Sequence, residues 1–335
     1  MKILAKSAVL LMLGTCAASA QDTPVELRFS SWLPPVHGVH EAFEAWSSSI
    51  KEKSGGSITM TLYPAEQLGR ANDHFDMARD GIADLVFINV GYQAGRFPMA
   101  EAVQIPFTVA NGVGGSKAFD GWYRGYAEQE MSDVKFCLGF VHEPGTLHSK
   151  TEIRTPDQIK GMKIRSANSS MANFVARLGG TNIRVSAPES RSALESGVAD
   201  AVTFPWESAM IFGLDKVVSY SMDAPLYVSG FAWLMNKDTY GRMSDTQKAV
   251  MDEHCSNAWA GEIAGTWSKH EKAGHEELKS KEGHSVYQLT PDEVAAWKEA
   301  AATLQQNWVS TAGADAQAAF ESFEKALEAE GADVN

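Results

Sequence analysis

The sequence is poor in cysteine, has no excess of positive charge and contains no long apolar run beyond its first residues. The 335 residues include three cysteines and no Cys-x-x-Cys pair, which excludes a zinc knuckle and a thioredoxin-like redox motif. Lys and Arg total 29 against 42 Asp and Glu, and the net charge of −13 would repel a nucleic acid. The sequence contains no run of about 18 apolar residues, the length that would indicate a transmembrane helix.

Sequence motifs of common enzyme classes are also missing. There is no Gly-x-Ser-x-Gly nucleophile elbow. His270, Glu271 and His275 resemble a metalloprotease helix, but the second histidine comes one residue too late to share a helix face with the first. Residues 112–117 are rich in glycine but lack P-loop spacing, and we interpret them as a flexible loop. We therefore predict no enzyme activity, no metal site and no cofactor.

The N-terminus is typical of a secretory signal peptide. Residues 1–20 combine a basic start, a short apolar run at 8–13 and the small residues Ala18-Ser19-Ala20. We predict cleavage before Gln21 and a periplasmic location for the mature chain; the alternative is an uncleaved anchor.

Two cysteines, Cys137 and Cys255, belong to the predicted mature chain. An exported chain can oxidise them. However, Cys137 lies inside an apolar segment at 134–140, where a free thiol packs as a small hydrophobic side chain. We therefore expect the two cysteines to be unpaired.

Strand and helix signals alternate along most of the chain, which indicates an α/β protein. Strand-like segments separated by helical ones occur at 25–31, 57–63 and 83–88, and again at 161–165, 183–185 and 201–203. The chain length favours about two domains. We expect residues 21–143 to form mainly one lobe and residues 144–230 mainly the other. Residues 231–335 would supply a return strand and C-terminal helices, at 244–281 and 291–330, packing on both lobes.

Several segments, in their order along the chain, resemble one protein family. They are Tyr63-Pro64, Gln67-Leu68-Gly69, Gly81-Ile82-Ala83-Asp84, Ile105-Pro106-Phe107, residues 155–165 ending in Lys163-Ile164-Arg165, Leu178-Gly179-Gly180, residues 193–200 and Trp233-Leu234-Met235-Asn236-Lys237. Together they resemble the solute-binding proteins of tripartite ATP-independent periplasmic (TRAP) transporters, of the dicarboxylate-binding-protein type. The resemblance covers nearly the whole predicted mature chain. It implies a two-lobed periplasmic binding protein fold, with segments crossing between the lobes and a long bracing helix, that closes over a small solute.

The same resemblance implies a role for Arg165. In the family, the arginine of the Lys-Ile-Arg motif forms a salt bridge with the carboxylate of the ligand. A guanidinium suits this role because its planar fork matches two carboxylate oxygens and stays charged when desolvated. The alternative for Arg165 is an internal ion pair.

Aromatic residues mark one departure from the family pattern. Phe204 stands where many members carry an amide residue before a proline, so an apolar surface replaces one polar ligand contact. With Trp32 and Trp206, and with Trp233 as a further candidate, it would line the cleft with aromatic rings. Each of these side chains could instead belong to the core.

The loop after the strand-like segment at 83–88 supplies further candidates, because loops at the carboxyl ends of strands line the crevice of α/β sheets. Asn89 and Tyr92 are candidate ligand contacts. Arg96 would either add a second anion anchor, which favours a diacid or sulfonate, or only tie the loop down. Glu143 and Glu207 carry the opposite charge and would favour a ligand ammonium group if they faced the cleft.

These observations predict an extracytoplasmic solute-binding subunit that captures a small organic acid, and Phe204 favours a hydrophobic or aromatic monocarboxylate among such acids. Arg165 would hold the carboxylate, aromatic walls would hold the remainder, and the protein would deliver the solute to the small and large membrane subunits of a TRAP permease. The alternatives are a binding protein for a zwitterion, amine or sulfonate, a sensor that docks on a membrane receptor, and a periplasmic enzyme on a similar fold.

Overall fold

The computed structural model describes residues 22–334, so the predicted signal peptide at 1–20 lies outside the described residues. The strands in this part of the chain are β1 (Val25–Ser30), β2 (Ile58–Tyr63), β3 (Leu85–Asn89), β4 (Val134–Val141), β5 (Thr146–Ser149), β6 (Lys163–Arg165), β7 (Thr181–Ile183), β8 (Ala201–Phe204), β9 (Tyr220–Asp223), β10 (Gly230–Asn236) and β11 (Ser285–Gln288). The α-helices are α1 (Gly38–Lys53), α2 (His74–Arg79), α3 (Gly112–Glu130), α4 (Ser169–Arg177), α5 (Ser190–Glu195), α6 (Trp206–Ile211), α7 (Lys237–Arg242), α8 (Asp245–His254), α9 (Asn257–Ser280), α10 (Pro291–Thr311) and α11 (Ala316–Ala329). Among the described residues, no helix is long and apolar enough to cross a membrane.

The strands form two sheets. The first has the order β2-β1-β3-β10-β4, in which β1 runs parallel to β2 and β3, while β10 runs antiparallel to β3 and β4. The second has the order β11-β9-β5-β8-β6-β7, in which only β5 runs antiparallel to its neighbours. Every residue of β3 is buried, as expected for an inner strand with both faces covered. The predicted α/β fold with two sheets is confirmed.

The chain crosses between the two sheets three times. It passes from β4 to β5 through residues 142–145, returns to β10 through residues 224–229, and reaches β11 through residues 237–284. Because β10 lies between β3 and β4, strands distant in sequence complete the first sheet. Three connections therefore hold the two sheets close together. Residues from both sheets line the space between them.

The longest helix of the described chain, α9, contacts elements on both sides. It packs on α1, α3 and β4 next to the first sheet, and on α6 and β11 next to the second. The sequence predicted one helix through residues 244–281, but the structure divides it into α8 and α9 at Cys255 and Ser256. Likewise, the segment predicted as helical at 291–330 divides into α10 and α11 around Gly313, whose φ is 122°.

The glycine-rich segment at 112–117 is helical, so the prediction of a flexible loop there was wrong. It forms the beginning of α3, and the Asn111 side chain caps the helix by accepting a hydrogen bond from the Gly114 N–H at 2.8 Å. A Cβ atom at Gly112 would lie 2.5 Å from Ser268 Oγ on α9, and one at Gly115 would lie 2.4 Å from Val109 Cγ1. These glycines therefore serve close packing of the helix against its neighbours.

Cys137 and Cys255 form a disulfide bond, which corrects the expectation of two unpaired thiols. Cys137 lies on β4 and is fully buried, as expected for its apolar segment, and Cys255 follows directly after α8. Their Cα atoms lie 4.4 Å apart across a sequence separation of 118 residues. No local pattern in the sequence reports that proximity.

A buried hydrogen-bond network connects α9 to both sides of the molecule. The Glu271 carboxylate on α9 is fully buried and accepts hydrogen bonds from Trp267 Nε1 at 2.7 Å, from the Glu207 backbone N–H at 2.7 Å and from Ser208 Oγ. Ser208 Oγ lies 3.1 Å from Nε2 of His37, the residue that caps α1. Because His37 Nδ1 accepts from a backbone N–H, its Nε2 carries the proton and donates it to Ser208.

We expect loss of the disulfide to lower the free energy of unfolding by about 2–5 kcal/mol, because the bond closes a long loop in the unfolded chain. Thermal unfolding of the chain from Gln21 onward, with and without reductant, measures the effect. The double variant Cys137→Ala, Cys255→Ala should unfold at a lower temperature and should not respond to reductant. Titration of two free thiols in the untreated protein would contradict the bond.

Glu271 predicts a stability that depends on pH. Burial raises the pKa of its carboxyl from 4.5 to about 7, although hydrogen bonds from Ser208 and Trp267 act in the opposite direction. A raised pKa in the folded state means that the contribution of Glu271 to stability is full below pH 4.5 and declines as the pH rises towards 7, by about 3 kcal/mol in total.

The buried histidines His37, His142 and His148 act in the opposite direction, because burial lowers their pKa values. The prediction therefore concerns the difference in the free energy of unfolding between the wild type and Glu271→Gln, which does not titrate, measured by urea unfolding between pH 4.5 and 8. This difference should shift against the wild type as the pH rises; a difference that does not change with pH would refute the prediction.

Candidate ligand-binding site

A narrow cavity lies between the two sheets, where Asn89, Arg165 and Phe204 each end a strand. The space within it, counted out to the open solvent at its mouth, is about 330 Å³. Of the side chains predicted from the sequence, it is lined by Trp32, Asn89, Tyr92, Arg165 and Phe204. The structure thus brings five of the nine predicted site residues together.

Arg165 is the buried positive charge of this cavity. Its side chain, at the end of β6, is 2% exposed and donates to three neutral oxygens: Val185 O at 3.1 Å, Thr203 O at 3.2 Å and Tyr92 Oη at 3.1 Å. A guanidinium has five N–H donors, so two remain, one on each terminal nitrogen. Within residues 22–334, no carboxylate forms an ion pair with it. The Glu189 carboxylate is near enough for the Arg165 charge to help lower its pKa, but it forms no ion pair with the guanidinium. The buried charge therefore lacks a directly bound partner that would offset its desolvation.

The Tyr92 hydroxyl has a proton left to donate into the cavity. Its oxygen accepts from Arg165 Nη2 at 3.1 Å and from the Ala187 N–H at 2.9 Å. These bonds use both lone pairs of the oxygen. Burial raises the pKa of Tyr92, while the Arg165 charge opposes that shift. The phenol therefore stays protonated at neutral pH and stands beside the guanidinium as a further donor.

Aromatic rings form much of the remaining wall. Trp32 stacks on Phe87 with ring centroids 5.2 Å apart and lies 5.9 Å from the Tyr92 ring. The Phe204 ring centroid lies 5.1 Å from the guanidinium carbon of Arg165. Phe231 and Trp267 continue this surface. The wall thus combines aromatic faces with Arg165 and the polar side chains of Asn89, Tyr92, Tyr227, His37, His142, Ser208 and Ser229.

Asn89 lies on the cavity wall, and its amide also holds the wall together. Its Oδ1 accepts from the Gly91 N–H at 2.9 Å, and its Nδ2 donates to Ala167 O, beyond β6, at 3.3 Å. The first bond shapes the turn that carries Tyr92, and the second joins the two sides of the cleft.

Arg96 does not line the cavity, which corrects the expectation of a second anion anchor. Its guanidinium pairs with Asp76 at 3.1 Å and lies 3.8 Å from the ring centroid of Phe75. It therefore ties its loop to α2, which was the alternative interpretation from the sequence.

Glu143, Trp206 and Glu207 also lie outside the cavity lining. Glu143 accepts from the Gly112 N–H at 3.0 Å and pairs with Lys272 at 3.3 Å. Glu207 lies 3.2 Å from His270 Nδ1. Trp206, the first residue of α6, packs edge-on against a histidine ring with centroids 4.3 Å apart. These three candidate ligand contacts therefore do not face the cavity, so the condition under which the two glutamates would favour a ligand ammonium group is not met.

The sequence interpretation missed several lining residues, of which His142 and Tyr227 are examples. His142 Nε2 accepts from the Ser229 N–H at 3.0 Å, and its Nδ1 donates to Glu143 O at 2.6 Å. Burial lowers the pKa of His142 to about 4, so it adds no charge near neutral pH. Its place directly after a strand was the available signal, one residue before the chosen Glu143. Other missed residues are His37, Ser208, Ser229, Phe231 and Trp267.

Known proteins share this sequence pattern and fold. The crystal structure of a TRAP solute-binding protein from Rhodoferax ferrireducens T118, in complex with copurified benzoate, has a TM-score of 0.87 and 25% identity, covering 92% of this chain and 98% of that one. A marine metagenome TRAP solute-binding protein specific for aromatic acid ligands, with 3-hydroxybenzoate, has a TM-score of 0.86 and 29% identity, covering 92% and 99%. The 2,3-diketo-L-gulonate-binding periplasmic protein YiaO of Escherichia coli (strain K12) is 26% identical over 263 residues, 75% of this chain and 78% of its own.

The sequence model of the family named bacterial extracellular solute-binding protein, family 7 (DctP), matches residues 29–311. The match spans both sheets and the helices that join them. The earlier resemblance and the prediction of a non-enzymatic binding protein are therefore confirmed. The chain belongs to this family and is a TRAP transporter solute-binding subunit.

Proposed function

We propose that this protein binds an aromatic monocarboxylate in the cavity between the two sheets, with Arg165 and Tyr92 holding the carboxylate. The observation that carries the proposal is the buried Arg165 guanidinium, which has two free N–H groups and no carboxylate partner among the described residues. A ligand carboxylate would supply both the missing charge and two acceptor oxygens.

The charges around the cavity favour a single carboxylate over a diacid or an amine. Arg96 is paired elsewhere and His142 is neutral, so Arg165 faces the ligand without a second cation from the predicted set. The two acidic candidates, Glu143 and Glu207, do not line the cavity and pair with Lys272 and His270. Nothing in this set would compensate a ligand ammonium group.

The lining of the cavity favours an aromatic ligand body. Trp32, Phe204 and Phe231 offer ring faces and edges, and aromatic rings pack well against each other in offset or edge-on arrangements. The two structural neighbours described above hold benzoate and 3-hydroxybenzoate, which supports this ligand class.

The proposal includes location and partners. We infer that residues 1–20 direct export to the periplasm. The name of the relative YiaO describes it as a periplasmic protein. There the protein would capture the acid and deliver it to the small and large membrane subunits of a TRAP permease for secondary active uptake.

We expect Arg165→Ala to weaken benzoate binding by about 100-fold or more, because the variant loses a charge-assisted, two-point contact. Arg165→Lys should recover only part of the affinity, because an ammonium keeps the charge but not the fork. Isothermal titration calorimetry measures both. Arg96→Ala is the matched control and should bind like the wild type; weak binding in the control together with normal binding in Arg165→Ala would refute the assignment.

A panel of ligands tests the class of solute. Benzoate at about 1,000 times its dissociation constant should stabilise the fold by about 4 kcal/mol, which thermal unfolding detects as a shift of several degrees. Cyclohexanecarboxylate, which is similar in size but not flat, should bind about tenfold more weakly. Succinate and phenethylamine should cause no shift. A response confined to the amine or the diacid would contradict the proposed class, and the protein should be refolded beforehand to remove any bound solute.

A further inference from the structure

The indole N–H of Trp32 is a hydrogen-bond donor without an acceptor. Trp32 is 4% exposed, and its Nε1 is buried with no partner among the described residues. An indole N–H can only donate, and leaving it unpaired away from water costs free energy. Any group that forms a hydrogen bond with this N–H must therefore carry an acceptor atom.

The location of Trp32 distinguishes it from another unpaired indole. Trp233 also has a buried Nε1 without a partner. However, Trp233 packs on Trp46 and Phe29 in the core of the first sheet, with ring centroids 4.9 and 5.1 Å away, and does not line the cavity. Trp32 does line the cavity. Of these two indoles, only that of Trp32 is therefore placed where a ligand atom can meet it.

The donor on Trp32 comes from the other sheet than Arg165, on the side of the cavity that also carries Tyr92. Trp32 follows β1 of the first sheet, whereas Arg165 ends β6 of the second. The two free N–H groups of Arg165 and the hydroxyl proton of Tyr92 already match the oxygens of one carboxylate. The N–H of Trp32 is thus available for a different ligand oxygen.

We propose that the ligand is an aromatic acid with a second oxygen function, a hydroxyl or carbonyl group, and that Trp32 Nε1 donates a hydrogen bond to it. This inference rests on the proposed function and narrows its substrate class. Trp32 then determines specificity: an acid with an acceptor at this point satisfies the indole, and one with only hydrogen there leaves it unpaired.

Matched acids test the inference on the wild-type protein. For an oxygen on the ring, 3-hydroxybenzoate is compared with benzoate; for an oxygen beside the carboxylate, mandelate is compared with phenylacetate. In at least one of the two pairs, calorimetry should show that the acid with the additional oxygen binds about tenfold more tightly than the acid without it. In Trp32→Phe, which keeps an aromatic ring but lacks the donor, this preference should fall to about threefold or less. In Trp233→Phe, the control, the preference should persist.

Two results would overturn the inference. The first is that the acids bind but neither pair shows a preference; the second is that the preference survives in a folded Trp32→Phe protein. Failure of every acid to bind the wild type would instead refute the proposed function, and this inference with it. If circular dichroism shows that Trp32→Phe does not fold, the carbonyl analogues phenylglyoxylate and 3-formylbenzoate decide. Because a carbonyl only accepts, equal preference for the carbonyl analogue supports the inference, and loss of preference overturns it.

Discussion

A positive charge held away from water without a negative partner is the constraint on which this structure depends. Three neutral oxygens, from Val185, Thr203 and Tyr92, orient the Arg165 guanidinium but do not neutralise it. Closing the two sheets around such a group is costly when the space between them is empty of anions. The acid that we propose as ligand would remove that cost. Such a requirement for an anion agrees with membership of a solute-binding family.

A hydrogen-bond network of buried polar groups supports the wall of the cavity. Glu271 binds the first turn of α6 and Trp267, while Ser208 joins that network to His37 at the start of α1. These bonds link groups on both sides of the cleft to the helix that spans them. The aromatic rings of the wall therefore need few polar contacts of their own, because this hydrogen-bond network fixes the distance between the elements that carry them.

Much of the fold and part of the site were readable from local patterns. The alternation of strands and helices predicted the α/β sheets, and the Lys-Ile-Arg motif placed Arg165 at a strand end, where the structure has it. Asn89 and Tyr92 were found by the rule that loops after strands line the crevice. Phe204 and Trp206 show the limit of that rule: Phe204 ends β8 and meets the cavity, whereas Trp206 begins α6 after one proline and turns to a histidine.

The features that sequence patterns missed depend on contacts between distant segments. His37 and Trp267 reach the cavity because α1 and α9 pack together, and nothing in either segment indicates this. The pairing of Cys137 with Cys255 has the same origin. The glycines at the start of α3 looked like loop residues because their composition is that of a loop, yet the absent side chains are what the neighbouring helix requires.

The disulfide also changes the effect of proteolytic cleavage on the protein. Residues 137 and 255 close a covalent ring that contains every strand of the second sheet except β11, as well as the strand that returns to the first sheet. A protease that cleaves one exposed loop inside this ring opens it without separating the protein into two molecules. The fragments stay joined through β4 and the end of α8 until the bond is reduced. In an oxidising compartment, a nicked copy could therefore keep both walls of its cleft together.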